Sequence, residues 1–328
     1  MIATELVGLT EIEAAQKRIA GVAVRTGIYK LEGEAASKLP YEVWIKAESE
    51  QPIGSFKLRG AFNKVASLDK DALSRGVITY SSGNHAQGVA YAGRELGSKA
   101  VIVMPENAPI VKREATLALG AEVVLVGPAS KERKEKAEQL EAEHGYTMVP
   151  PYDDPYIVAG QATCGAEIVE QAPDVDVVLS PVSGGGLLSG ISTAVKLKKP
   201  SAKVFGVEPE VAGDATESFA KKELVEWPAE KTVRTIADGL RTQSLGVLNF
   251  AHVMEYTDNI FTVSEEEIVA ALKVYLNETN LVPEPSGAVT LAGALFHPEK
   301  LPAGTKKVVV VLSGGNIDPA LKAQLQGS

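Results

Sequence analysis

From residue 77 onward the chain alternates short, unbroken apolar runs with longer amphipathic ones, and this alternation leaves few architectures open. Val77-Ile78-Thr79-Tyr80, Ala100-Val101-Ile102-Val103-Met104 and Glu122-Val123-Val124-Leu125-Val126 are rich in β-branched side chains, with stretches at helical spacing between them. Strands that are apolar on both sides are strands covered on both faces, and helical connections supply the cover, which describes parallel sheets. The pattern resumes after the break Pro150-Pro151-Tyr152-Asp153-Asp154-Pro155, with strands at 177–180, 204–207 and 307–312. The expected fold class is α/β, with two open, mainly parallel sheets flanked by helices, one sheet system on either side of that break. Residues 1–66 and 152–328 are assigned to a large domain and 76–148 to a small one. Because open sheets of this kind bind ligands at the carboxyl ends of their strands, the active site is expected in the interdomain cleft.

Smaller features set the expected boundaries. A helix over residues 8–20 takes Thr10 as its cap, Glu42–Ala47 reads as a strand, and another helix opens near Pro109. Ser264-Glu265-Glu266-Glu267 is a capping box that starts a helix, whereas the stretch between Glu208 and Ser264 shows little regularity.

Charge and composition exclude several function classes. The formal net charge of −9 and the interleaving of Lys131, Arg133, Lys134 and Lys136 with Glu132, Glu135 and Glu138 argue against nucleic acid as a partner. One cysteine, Cys164, forms no internal disulfide and no thiolate cluster, so a buried structural thiol in a reducing compartment is expected. No apolar run approaches a bilayer span, and the N-terminus lacks a leader pattern, so a cytoplasmic protein without membrane contact is expected.

Chemistry concentrates in one loop and three turns. In Gly54-Ser55-Phe56-Lys57-Leu58-Arg59-Gly60-Ala61 a lysine stands between two apolar side chains, where desolvation would lower its pKa and make it a Schiff-base amine. Ser81-Ser82-Gly83-Asn84-His85 follows a strand and opens a helix, a place either for a carboxylate or for capping alone. Ser183-Gly184-Gly185-Gly186-Leu187 gives several converging amides, suited to one phosphate. A dinucleotide is the rival there, with Glu208 as the ribose acid, but its third glycine is out of register at Ser189. Ser313-Gly314-Gly315-Asn316 offers a hydroxyl for a neutral ring nitrogen, or is simply a tight turn. An amine, a carboxylate turn, a phosphate cup and a hydroxyl together match the handles of pyridoxal phosphate and an amino acid substrate.

These segments, with Ala159-Gly160-Gln161, Ala237-Asp238-Gly239 and Glu284-Pro285-Ser286-Gly287, resemble the fold type II (β-family, tryptophan synthase β-like) pyridoxal-phosphate enzymes, in particular the threonine dehydratase and serine racemase group. The resemblance runs nearly end to end. It implies that the large domain holds the cofactor, that Lys57 carries it as a Schiff base beside Phe56, and that Asn84 bonds its phenolic oxygen. It also implies that Ser183, Gly184, Gly185, Gly186 and Leu187 hold its phosphate, that Gly239 and Glu284 line the site, and that Ser313 meets the pyridine nitrogen. Ser81, Ser82, Gly83, Asn84 and His85 would bind the substrate carboxylate, and Arg133 would either face a second carboxylate or belong to the charged helix face. Ser82 is the position where the racemases carry a second acid and the biosynthetic dehydratases carry alanine. Glu208, the Ala212 carbonyl and Asp214 resemble the family's divalent cation loop, for Mg²⁺, Mn²⁺ or Ca²⁺, unless they form only a solvated acidic loop. Ser183 in place of the first of four glycines, and Gly27 in place of a proline, depart from the pattern. The implied activity is an ammonia-lyase for serine, threonine or 3-hydroxyaspartate, with a racemase as the alternative and a homodimer as the assembly.

Overall fold

A computed structural model of the protein describes residues 5–81, 83–108, 110–127 and 130–326. Among the described residues ten strands form two sheets: β1 Ile28–Lys30, β2 Glu42–Ala47, β3 Val77–Tyr80, β4 Ala100–Pro105, β5 Glu122–Val126, β6 Thr147–Met148, β7 Val177–Pro181, β8 Lys203–Pro209, β9 Asn259–Val263 and β10 Lys307–Leu312. The six-stranded sheet has the order β1-β2-β10-β7-β8-β9 and the four-stranded sheet the order β5-β4-β3-β6. Every pairing is parallel except β1 with β2. The Pro150 break therefore does not separate the sheets cleanly. β2 lies far ahead of it in the chain yet pairs with β10, Glu42 opposite Lys307 through Ala47 opposite Leu312. Register between residues so distant in sequence is set by packing alone.

Alternation along the strands shows why both faces are covered. Val308, Val310 and Leu312 of β10 enter one core with Leu291, Ala292 and Tyr275, while Val309 and Val311 enter another with Ile191 and Val204. In β4, Ile102 and Met104 face a core built from Phe62 and Val89, and Val101 and Val103 face a smaller one under helix Ser130–His144. Burying each such side chain stabilises by roughly 1.5–3 kcal/mol.

Helices Lys57–Ala66 and Pro155–Gln171 pack backbone against backbone at Gly160, where an added Cβ would stand 2.6 Å from Gly60 Cα. Asp154 caps the longer helix, accepting from the amides of Tyr156 and Ile157 at 2.8 and 3.2 Å, with Pro155 in the first turn.

Several expected boundaries shift. The first helix is Leu9–Ile19 and Thr10 lies inside it: Gly8 takes the cap position, and the Glu11 carboxylate accepts from the Gly8 N–H at 2.9 Å. Pro109 lies outside the described residues, and its helix runs Ile110–Ala118. The irregular stretch holds helices Asp214–Lys221 and Val247–Tyr256 and strand β9. Helix Val247–Tyr256 is capped from across the fold by Asp153, whose carboxylate accepts from the amides of Val247, Leu248 and Asn249. The Ser264 capping box forms as read, with Ser264 accepting from Glu267 N–H and Glu267 from Ser264 N–H. Cys164 is buried and free. Among the described residues no helix is long and apolar enough to cross a membrane.

Candidate active site

The carboxyl ends of β3, β7 and β10 open into the three turns singled out in the sequence, and the loop before helix Lys57–Ala66 closes against one of them. Phe56 N–H donates to the Ser313 carbonyl at 3.0 Å, and Ser55 bridges to Gly314. Lys57 is the first residue of its helix. Its Nζ donates to the Pro151 carbonyl at 2.6 Å and lies 5.3 Å from the centre of the Phe56 ring. Burial pulls its pKa down from 10.5 to about 8, so an appreciable fraction of the amine is neutral near pH 7–8. The desolvation expected from the flanking apolar residues is thus present.

The glycine turn forms a cup. Gly185 has φ +94°, and a Cβ there would stand 2.8 Å from Leu245 Cδ2 and 3.0 Å from Asn249 Cβ. At Gly184 a Cβ would enter the Tyr152 ring at 2.4 Å, and at Gly186 it would meet Tyr152 Cβ at 3.0 Å. Gly184 is held by its carbonyl, which accepts from Gly246 N–H and Asn249 Nδ2. Among the described residues no acceptor engages the amides of Ser183 to Leu187, the first ones opening helix Gly186–Lys198, so they are available to an anion. Ser183, the departure from four glycines, shares a hydroxyl hydrogen bond with Thr242 at 2.8 Å. The cup, the neutral-leaning amine and the buried Ser313 hydroxyl fit a phosphate-bearing pyridine aldehyde.

Asn84 joins the two sheets. Its Nδ2 donates to Glu284 Oε1 at 2.7 Å and its Oδ1 accepts from Asn316 Nδ2 at 2.8 Å, while Asn316 also donates to the Ile53 carbonyl. With both ends engaged, the amide has one orientation and one remaining N–H. Burial, then the nearby Asp238 carboxylate, push Glu284 up to about 7, against the opposing pull of Lys112 and Asn84. Lys112 pairs with Asp238 across the same cleft. Gly239 N–H donates to Ser286 Oγ at 2.9 Å, which sets the loop beside Glu284.

Of the substrate turn, Gly83 N–H donates to Ser81 Oγ at 3.3 Å, and Ser82 lies outside the described residues. His85 is buried, its Nε2 donating to the Val149 carbonyl at 2.9 Å; burial and the nearby Lys57 hold its pKa down at about 3. It is a neutral anchor for the turn, not a proton donor at neutral pH. Arg133 is half-buried on helix Ser130–His144. Sequence reading missed the Pro151 carbonyl, Tyr152, Asn249 and the Asn316 amide. Only Asn316 carried a local signal, as part of its Ser-Gly-Gly-Asn turn.

Glu208 and Asp214 meet at the end of β8, both buried. Glu208 Oε1 accepts from Thr216 N–H at 2.6 Å, but Glu208 Oε2 and Asp214 Oδ2 are buried without partners. Burial and the neighbouring Asp214 carboxylate push Glu208 well above the usual range, and burial pushes Asp214 up to about 7. Two orphaned carboxylate oxygens in one pocket suit a hard cation. No group of three or more His, Cys, Asp or Glu side chains placed to hold a metal ion occurs among the described residues, so a further ligand there would be a hydroxyl, a backbone carbonyl or water.

Buried charge also surrounds the base of the lysine helix. Arg59 donates to both oxygens of Glu48 at 2.7 and 2.8 Å and to both oxygens of Glu167 at 2.7 and 2.8 Å. Lys46 donates to Glu167 and to the Thr26 carbonyl. This network, two residues from Lys57, was not read from the sequence.

The chain is similar to known proteins along most of its length. The L-threo-3-hydroxyaspartate ammonia-lyase of Saccharomyces cerevisiae is 42% identical over 86% of this chain and 85% of its own. The serine racemase of Schizosaccharomyces pombe is 38% identical over 94% of both chains. The crystal structure of a threonine deaminase from T.th. superposes with a TM-score of 0.89 at 43% identity, covering 95% of this chain and 99% of that one. Residues 21–314 match the family described as pyridoxal-phosphate dependent enzyme, and with the lysine, the glycine cup and the serine hydroxyl arranged as they are, the chain belongs to that family.

Proposed function

We propose that the protein is an ammonia-lyase that eliminates water from a β-hydroxy amino acid (serine, threonine or 3-hydroxyaspartate), the dehydrated product then taking up water again to give a 2-keto acid and ammonia. The observation that carries this reading is Lys57: an amine drawn down to about 8, at the junction of the three turns. Bound pyridoxal phosphate supplies an electron-withdrawing ring next to the substrate's α-carbon. The amides of Ser183 to Leu187 hold its phosphate, the Asn84 N–H left over from Glu284 orients its phenolic oxygen, and Ser313 faces its ring nitrogen. The turn Ser81 to Asn84 holds the substrate carboxylate. Lys57 takes the proton from the α-carbon, and as an ammonium it returns a proton to the departing β-hydroxyl, with Pro151 O as its acceptor between these acts. Arg133 is assigned to a second substrate carboxylate where one is present.

Glu208, Asp214 and the Ala212 carbonyl would hold a divalent cation of the Mg²⁺, Mn²⁺ or Ca²⁺ class, whose charge neutralises two buried carboxylates and fixes the loop after β8. The sheet memberships support a large domain of residues 1–66 and 152–328 and a small one of 76–148; a homodimer is the assembly the resemblance implies, and the single cysteine fits a reducing compartment such as the cytoplasm.

The test is borohydride reduction of the holoenzyme followed by peptide mapping: the modified lysine is Lys57, and Lys57→Ala loses both the adduct and keto acid production. A labelled peptide containing another lysine refutes the assignment. A second activity is favoured by the hydroxyl of Ser82 and by the serine racemases among the relatives. Elimination dominates, D-serine forms slowly from L-serine, and Ser82→Ala loses that racemisation while keeping elimination. An undiminished rate of D-serine formation in the variant excludes Ser82 as the second acid.

A further inference from the structure

The pocket at the end of β8 holds a third unpaired oxygen, and no acidic side chain supplies it. Thr216 stands in the first turn of helix Asp214–Lys221, where its N–H donates to Glu208 Oε1 at 2.6 Å. Its hydroxyl, attached through Cα and Cβ to that same nitrogen, lies beside the Glu208 carboxylate, yet Thr216 Oγ1 is buried and makes no hydrogen bond. It joins Glu208 Oε2 and Asp214 Oδ2, the two carboxylate oxygens left without partners on side chains that are each 1% exposed. The Ala212 carbonyl, in the turn Glu210–Ala212 that leads into the helix, accepts from no backbone amide among the described residues. A buried hydroxyl without a partner destabilises a fold, so a third orphan beside two others points to a guest shared by all of them. Lone pairs crowded into one pocket repel each other unless a positive charge lies between them, and that makes the guest a cation.

We propose that the Thr216 hydroxyl is a direct ligand of the divalent cation, a fourth protein oxygen beside those of Glu208, Asp214 and the Ala212 carbonyl. This rests on the cation site assigned above, and adds to it a residue and a preference. Four protein oxygens from one short segment leave few positions for water. Ca²⁺ takes about six to eight oxygens in flexible geometry, whereas Mg²⁺ demands a near-ideal octahedron and gives up its waters reluctantly. The site therefore selects the larger ion, and Thr216 contributes to that selection without adding charge.

The experiment takes the holoenzyme, freed of divalent cations by a chelator, and titrates it with Tb³⁺, using Ca²⁺ and Mg²⁺ as competitors. Terbium emission lifetimes in H₂O and D₂O count the waters left on the bound ion. Thr216→Val puts a methyl group of similar size in place of the hydroxyl and keeps the N–H that Glu208 accepts, so the cation-free variant melts with the wild type. The variant holds about one more water on terbium, its Ca²⁺ affinity falls about tenfold, and the wild-type preference for Ca²⁺ over Mg²⁺ shrinks. Thr216→Ser, which retains the oxygen, keeps the wild-type water count. If the cation-free valine variant melts lower, Thr216→Ala takes its place, with the same extra water expected. An unchanged water count overturns the inference even where affinity falls, because the hydroxyl then acts only through Glu208 or a bound water. A wild type that binds Mg²⁺ as tightly as Ca²⁺ overturns it too, and both results leave the site of Glu208, Asp214 and the Ala212 carbonyl standing. Terbium that does not bind the wild type removes the cation site itself, and this ligand with it.

Discussion

Replacing Arg59 by methionine is the sharpest test of how the site is held. The guanidinium is fully buried and makes charge-assisted hydrogen bonds to Glu48 and Glu167, with further ones to Thr163 Oγ1 and the Val24 carbonyl. Burial opposes the Glu48 charge, yet Arg59, with Lys46 and Thr26 behind it, brings that carboxyl from 4.5 down to about 2. At about 1.4 kcal/mol per pKa unit the depression is worth roughly 3 kcal/mol. Its sign follows from linkage: the folded pKa lies below the unfolded one, so the contribution is present above about pH 4.5 and is lost as pH falls toward 2. Arg59→Met leaves Glu48 buried without its main partner, a change that costs about 3–5 kcal/mol at pH 7. The folded pKa of Glu48 then moves above its unfolded value and its contribution changes sign, so that between pH 5 and 8 the variant loses more stability with rising pH than the wild type, over and above the loss that Asp214 and Glu284, both held up at about 7, give to both proteins. The assay is thermal or urea unfolding of both proteins at several pH values across that window, with Arg59→Met/Glu48→Gln as the double variant that recovers part of the loss. A deficit under about 1 kcal/mol, or a variant whose stability follows the wild-type pH dependence, would show that the network carries no such energy.

The cup and the cation pocket give further tests. Gly185→Ala places a Cβ against Leu245 and Asn249 at a positive φ, so it costs about 1–3 kcal/mol and weakens cofactor affinity at least tenfold, read by spectral titration; unaltered affinity would show that the cup does not hold the phosphate. Removing divalent cations with a chelator lowers the melting temperature. Cation affinity rises from pH 6 to 8, because Asp214, held up at about 7, must lose its proton to bind. Terbium luminescence sensitised by Trp227, whose ring reaches within 3.3 Å of a Cβ built at Gly213 in the same loop, reports the binding directly. Terbium emission indifferent to pH, or to Asp214→Asn, refutes the assignment.

The sequence by itself determined the class of fold and the identity of the local devices. Continuous apolar strands such as Val308 to Leu312 read as buried on both faces because a period of two leaves no solvent side, and the turns after β3, β7 and β10 were legible because their glycines, serines and asparagines act within a few residues of chain. Lys57 was legible for the same reason, since its desolvation begins with the neighbours Phe56 and Leu58. Only the tertiary structure decided which strands share a sheet, and so placed β2, near the start of the chain, beside β10, near its end. It alone closed the Arg59 network from Glu48 and Glu167, brought Asp153 to the start of helix Val247–Tyr256, and set the Pro151 carbonyl on Lys57. These contacts join groups whose positions are fixed by packing of whole elements, and burial, which turns an ordinary lysine into a weak acid near pH 8 and orphans two carboxylate oxygens, is a property of the assembled core and leaves no mark on any short stretch of chain.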